Sequence, residues 1–126
     1  MEDPIRILVV DDDPDLLAAT GRILKSSGYE TREARNGAEA LEQVKAERPH
    51  LILLDVVLPD ISGIEVCRRI KRDPDTATAH VILISSFQQT EANQSEGLES
   101  GADDYIVRPI DTRTFLARVA SAVRII

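Results

Sequence analysis

Only one cysteine occurs in the 126 residues, so no internal disulfide can form, and Cys67, set within a helical pattern, reads as a small core side chain. No apolar run approaches the roughly 18 residues needed to cross a bilayer, because Asp55 interrupts the stretch 51–58. The amino end, Met1-Glu2-Asp3-Pro4, lacks a charged-then-apolar leader. A cytoplasmic chain with no membrane association is the expectation. Positive charge is also scarce: 15 Lys and Arg against 22 Asp and Glu leave a net charge of −7. Such a balance repels nucleic acid phosphate, which argues against direct nucleic-acid binding. The one basic cluster, Arg68, Arg69, Lys71 and Arg72, wraps around a helix axis and reads as solvated surface. There is neither room for a second domain nor a linker or internal repeat; the expectation is one domain over 1–126 with its core at 5–123.

What is present is regular. With 43% hydrophobic and 29% charged residues the chain can bury a core. Apolar runs recur at 5–10, 29–34, 51–54, 81–84 and 105–107, separated by segments with helical spacing. The first, third and fourth are nearly continuous Ile, Leu and Val, the pattern of strands covered on both faces in a parallel sheet. Alternation of strand and helix with right-handed crossovers then predicts a three-layer α/β fold.

The helices are punctuated. In the first, Asp13 is the expected N-cap, Pro14 stands at the first helical position and Gly28 closes it; Leu16, Leu17, Thr20, Ile23, Leu24 and Ser27 form the expected stripe. The second starts at Asn36, with Glu39 three residues on, and stops before Pro49. The third starts at Ser62 with Glu65 in capping-box register. The fourth segment, 90–100, offers only Ala92 and Leu98 as apolar anchors and should be the most weakly docked. The fifth begins at Asp111 and is expected to bury Phe115, Leu116, Val119 and Val123.

In such sheets ligands bind beyond the carboxyl ends of the strands. There the first run ends in Asp11, Asp12 and Asp13, the third in Asp55, the fourth in Ser85 and Ser86, and the fifth in Arg108-Pro109. An Asp triplet after a strand is, on its own, commonly a solvated turn, and a Ser at a strand end is commonly neutral. Their convergence on one edge is what points to a site. Carboxylates brought that close repel, so Asp11, Asp12 and Asp55 need a compensating cation. Mg²⁺ suits them, since it takes one or two carboxylates and completes its shell with water and phosphate oxygens. Zinc is disfavoured: His50 and His80 precede strands at the opposite edge, have no cysteine partner and read as surface loop residues. Asp55 ends the central apolar strand and is the natural nucleophile, because a carboxylate can attack phosphorus to give an acyl phosphate. The Ser85 hydroxyl and the Arg108 guanidinium are placed to neutralise the oxygens of a transferred phosphoryl group.

The segments ILVVDDDP at 7–14, LILLDVVLPDISGIEVCRRIK at 51–71, VILISS at 81–86 and GADDYIVRPI at 101–110 resemble, in order and spacing, the receiver domains of bacterial two-component response regulators. The resemblance covers residues 5 to 123. It implies a flavodoxin-like doubly wound (βα)5 fold with strand order 2-1-3-4-5. It further implies that Asp55 is the phosphoacceptor and that Asp11 and Asp12 are the acidic pair. The backbone carbonyl of Val57 would be a further Mg²⁺ ligand, Ser85 the switch hydroxyl and Tyr105 the aromatic whose rotation accompanies activation. The implied donor is a histidine kinase or histidine phosphotransfer protein. The implied output surface is helix 4, strand 5 and helix 5, and the implied activity is that of an acceptor rather than an enzyme.

At position 108 the family normally has Lys, whereas this chain has Arg. Charge is kept, but a planar fork replaces a compact ammonium. Phosphorylation of Asp55 with altered coupling to Ser85 and Tyr105 is the expectation. Val57 and Phe87, at positions that influence hydrolysis in the family, cannot orient an attacking water, which implies a long-lived phosphoryl state. The fourth helix is acidic through Glu91, Glu96 and Glu99 while the fifth offers Arg113, Arg118 and Arg124, a self-complementary surface that suggests a two-fold homodimer. Two other readings remain beside the phosphorylatable switch. One is a pseudo-receiver that only binds a partner, suggested by Arg108. The other is a small aspartyl-phosphate hydrolase, which would normally carry a general acid at position 57, where Val stands. The chain reads equally well as complete or as a piece of a longer protein with an effector or kinase domain.

Overall fold

A computed structural model describes residues 3–86 and 91–126. Among them strand and helix alternate as β1 (Arg6–Val10), α1 (Pro14–Ser26), β2 (Glu30–Ala34), α2 (Gly37–Glu47), β3 (Leu51–Asp55), α3 (Gly63–Arg72), β4 (His80–Ser86), α4 (Glu91–Glu99), β5 (Asp104–Arg108) and α5 (Thr112–Ile125). The strands form one parallel sheet in the order β2-β1-β3-β4-β5. Fold and order are those the resemblance implied.

Alternate residues of the inner strands feed two cores. Leu8, Val10, Ile52, Leu54, Val81 and Leu83 pack with Ala40 and Val44 of α2 and with Val66, Cys67 and Ile70 of α3. Ile7, Val9, Leu51, Leu53, Ile82 and Ile84 pack on the opposite face with Leu17 and Leu24 of α1 and with Phe115 and Val119 of α5. Each such Leu or Ile stabilises the fold by about 1.5–3 kcal/mol relative to an exposed one, so continuous apolar strands are stable only between two helical layers. The edge strand β2, Glu-Thr-Arg-Glu-Ala, buries only Ala34. Tyr29 lies just outside it.

Helix starts follow the expected chemistry, with one exception. Asp13 accepts the N–H groups of Asp15 and Leu16 at 2.9 and 3.4 Å. Asn36 and Glu39 bond reciprocally at 2.9 and 2.8 Å, and Asp111 accepts from Thr114 N–H at 2.8 Å. Ser62 caps α3 through Ile64 N–H, but Glu65 does not return a bond to it; its carboxylate pairs with Arg68 and Arg69 instead. The α1 stripe is narrower than expected, centred on Leu17, Gly21 and Leu24, and Leu16 is 38% exposed. Gly28, with φ +93°, supplies the left-handed turn that ends this helix.

Two polar expectations need correction. Lys71 is not a solvated member of a basic surface: its Nζ donates to Ala79 O at 2.7 Å and pairs with Asp103 at 2.9 Å. Nor is His80 a surface loop residue, and His50, in the bend before β3, is only partly exposed to solvent, tied to the sheet by its ring. His80 opens β4 with its side chain 12% exposed, 4.0 Å from Asp103, and His50 Nδ1 accepts the Arg6 N–H at 3.0 Å. Both terminate the amino edge of the sheet, where backbone groups otherwise lack partners. Phe87, and the side chains of Glu91 and Ala92, lie outside the described residues.

Candidate phosphoacceptor site

β1 and β3 are adjacent and parallel, with Val10 opposite Leu54, so the residues that follow each strand emerge side by side. Asp11, Asp12 and Asp55 each present a carboxylate oxygen, and these oxygens all lie within 4.8 Å of one another. Asp11 is buried at 2% exposure, while Asp12 is open to solvent. The chain is pinned here by Asp11 N–H donating to Ala34 O at 3.1 Å and by Val56 N–H donating to Ile84 O at 2.9 Å.

The two inner carboxylates are held in the same manner. Asp11 Oδ1 accepts Asp13 N–H at 3.0 Å, and Asp55 Oδ1 accepts Val57 N–H at 2.9 Å. Their other oxygens both face Arg108, which ends β5: Nη2 lies 3.1 Å from Asp11 Oδ2 and Nη1 lies 3.8 Å from Asp55 Oδ2. Burial pushes the Asp55 carboxyl up to about 6, aided by the neighbouring Asp11 and Asp12 and opposed by the Val57 N–H and Arg108. A hard, oxygen-only donor set with a carboxyl reluctant to ionise fits a small divalent cation. Among the described residues no other His, Cys, Asp or Glu group clusters in this way.

Ser85 is buried near the end of β4 beside Val107 of β5, one residue past the Ile84 that pairs with Asp55. Among the described residues its hydroxyl makes one long contact, 3.5 Å to Ser86 O. The Tyr105 ring packs against the core beside Gly97 of α4, and its buried hydroxyl has no partner among the described residues. The expected site residues Asp11, Asp12, Asp55, Ser85 and Arg108 therefore share one sheet edge.

Sequence reasoning missed the residues that aim them. Gly63, the first residue of α3, donates its N–H to Val56 O at 2.8 Å, and a Cβ there would overlap the Asp55 backbone carbonyl. Asp60 accepts the first N–H groups of α2, Gly37 at 2.8 Å and Ala38 at 2.9 Å, tying the β3–α3 loop to a second helix. Its only signal was a polar residue in a loop. A separate cavity of about 560 Å³ opens at the opposite edge, lined by His50, Lys71, His80 and Asp103, far from the carboxylate cluster.

A doubly wound parallel sheet with an acidic cluster at its carboxyl edge defines a class of α/β domain whose site lies beyond the strand ends. Comparison with known proteins gives the family. The family model described as response regulator receiver domain matches residues 7–120, and the chain belongs to that family. The phosphate regulon transcriptional regulatory protein PhoB of Pseudomonas aeruginosa is 41% identical over 118 residues, covering 94% of this chain and 51% of that protein. The DNA-binding response regulator MtrA of Mycolicibacterium smegmatis is 39% identical over 119 residues, covering 94% and 50%. This chain thus spans about half the length of the curated relatives it matches. A CheY-like response regulator receiver domain protein from Methanospirillum hungatei superposes with a TM-score of 0.88 at 31% identity, covering 94% of this chain and 93% of the other.

Proposed function

We propose that Asp55 accepts a phosphoryl group from a phosphohistidine of a kinase or phosphotransfer protein, as a cytoplasmic signalling switch. The observation that carries this reading is the approach of three carboxylates from two adjacent strands, with Asp55 the one that ends the central strand. Asp55 Oδ2 is the attacking atom, because Oδ1 is engaged by Val57 N–H. A bond forms from that oxygen to phosphorus as the P–N bond breaks, and the histidine leaves with the electron pair. With its value near 6, Asp55 is mostly ionised at pH 7 and is therefore competent as a nucleophile.

Asp11, Asp12, Asp55 and the Val57 backbone carbonyl are the proposed ligands of Mg²⁺, which when bound supplies positive charge to the phosphoryl oxygens. Arg108 and the Ser85 hydroxyl engage the remaining oxygens of the acyl phosphate. Tyr105, which packs beside α4, conveys the change at Ser85 to the face formed by α4, β5 and α5. A homodimer through that face is part of the proposal. Of the charges that suggested it, Arg118 is already paired with Asp104 at 2.7 Å and Glu96 with Arg68 at 3.5 Å. Glu99, Arg113 and Arg124 are then the groups to cross the two-fold axis.

Intact-mass measurement after treatment with a small phosphodonor tests the reading. One phosphoryl increment is expected on the wild type with Mg²⁺, little without it, and none on Asp55→Asn. An increment that survives in Asp55→Asn would place the acceptor elsewhere. No increment on any form would favour the pseudo-receiver.

A further inference from the structure

The β3–α3 loop, residues 56–62, is held at both ends. At its inner end Val57 N–H donates to Asp55 Oδ1 at 2.9 Å, and Gly63 N–H donates to Val56 O at 2.8 Å. At its outer end the exposed Asp60 grips the first turn of α2: Oδ1 accepts Gly37 N–H at 2.8 Å and Oδ2 accepts Ala38 N–H at 2.9 Å. These are two of the N–H groups that a helix start leaves without an intrahelical partner; the N-cap Asn36 takes the one at Glu39. They hold the Asp60 carboxyl below its ordinary value, so it stays ionised against the positive end of the helix. An apolar contact reinforces the polar one, because Ile61 lies so close over Gly37 that a Cβ there would overlap Ile61 Cγ1. The loop has little slack. Only Leu58 and Pro59 separate Val57 from Asp60; the proline ring fixes φ at residue 59, and Leu58 packs, partly buried, against the core.

We infer that Asp60 is a positioning residue for the acceptor site: by seating the loop on α2 it limits the orientations open to the Val57 carbonyl, and so couples cation binding to closure of the α2 start. The inference rests on the reading of Asp11, Asp12, Asp55 and the Val57 carbonyl as Mg²⁺ ligands, and deepens it by naming a group outside the carboxylate cluster. Mg²⁺ demands near-octahedral geometry, and a peptide carbonyl, unlike a side-chain carboxylate, is aimed only by the backbone on either side of it. Coupling of this kind is reciprocal: whatever factor the α2 seat contributes to cation affinity, the cation returns to the seat. A simple helix cap would stabilise α2 and leave the affinity for the ion unchanged.

Calorimetric titration of the full chain with Mg²⁺, together with amide hydrogen exchange at Gly37 and Ala38, tests this in wild type, Asp60→Ala, Asp60→Asn and Asp55→Asn. Asp60→Ala should bind Mg²⁺ about fivefold more weakly than wild type, the lower end of ordinary coupling between sites. Asp60→Asn, which keeps one acceptor oxygen, should fall between the two. In wild type, saturating Mg²⁺ should slow exchange at both amides by a similar factor relative to EDTA, and in Asp55→Asn it should not. Wild-type Mg²⁺ affinity in Asp60→Ala, whatever its melting temperature, would overturn the inference and leave the metal reading standing. So would exchange at both amides that is indifferent to Mg²⁺ in a wild type that binds the ion, and this comparison decides alone where Asp60→Ala fails to fold. Wild type that binds Mg²⁺ no better than Asp55→Asn overturns the metal reading and the inference together.

Discussion

At the residue scale, Asp55 is a carboxylate held where it is reluctant to ionise. Its value rises from the ordinary 3.8 to about 6, so between those pH values the folded chain keeps a proton that the unfolded chain has lost. Metal-free stability therefore falls as pH rises through that window, and the full loss is present at pH 7. Asp55→Asn removes the ionisation and should raise metal-free stability at pH 7 by roughly 2–3 kcal/mol. The gain should shrink as pH falls from 6 toward 4, and urea unfolding in EDTA across this range measures it. A gain independent of pH would assign the effect to packing. The approach of Asp11 to Asp55 was legible because one follows and the other ends an unbroken apolar strand. Gly63 was not, because its requirement arises from the Asp55 carbonyl, eight positions earlier in the chain, and appears only when α3 is docked.

At the scale of elements, α4 is the informative case. Expected to be weakly docked, it touches the sheet through a notch. A Cβ on Gly97 would lie 2.7 Å from Tyr105 Cε2 and 3.0 Å from Leu83 Cδ1. The ring thus packs inward only because residue 97 has no side chain. Gly97→Ala raises helix propensity by up to about 1 kcal/mol, yet it must drive the ring outward. In a Tyr29→Phe background, where Tyr105 is the remaining tyrosine, acrylamide quenching of tyrosine fluorescence should increase; unchanged quenching would mean that α4 moves instead. Helix starts were readable because caps act within three or four residues. The exceptions involve reach across the fold: Asp60 caps α2 from 22 and 23 positions away, and Lys71 joins Asp103 from 32 away.

At the scale of the molecule, the sheet separates two kinds of polar work. Its carboxyl edge gathers like charges, while its amino edge closes itself with His50 against Arg6 and with His80, Lys71 and Asp103. Two-sided burial could be anticipated from β1, β3 and β4 and strand order from the family resemblance, whereas His80 was misjudged because periodicity says nothing about unpaired backbone groups at strand starts. The proposed two-fold contact belongs to this scale. Sedimentation should give a monomer for the unmodified chain and a dimer after phosphorylation, and charge reversal at Arg113 should abolish the dimer; a monomer under both conditions removes the proposal.

The edge strand β2 has a consequence of its own. Its side chains Glu30, Arg32 and Glu33 are exposed outside the core, and among the described residues its backbone pairs with β1 alone. Another chain laid along it would have to bury mismatched charge for every peptide group it satisfied. Growth of the sheet into fibrils is thereby opposed at that border.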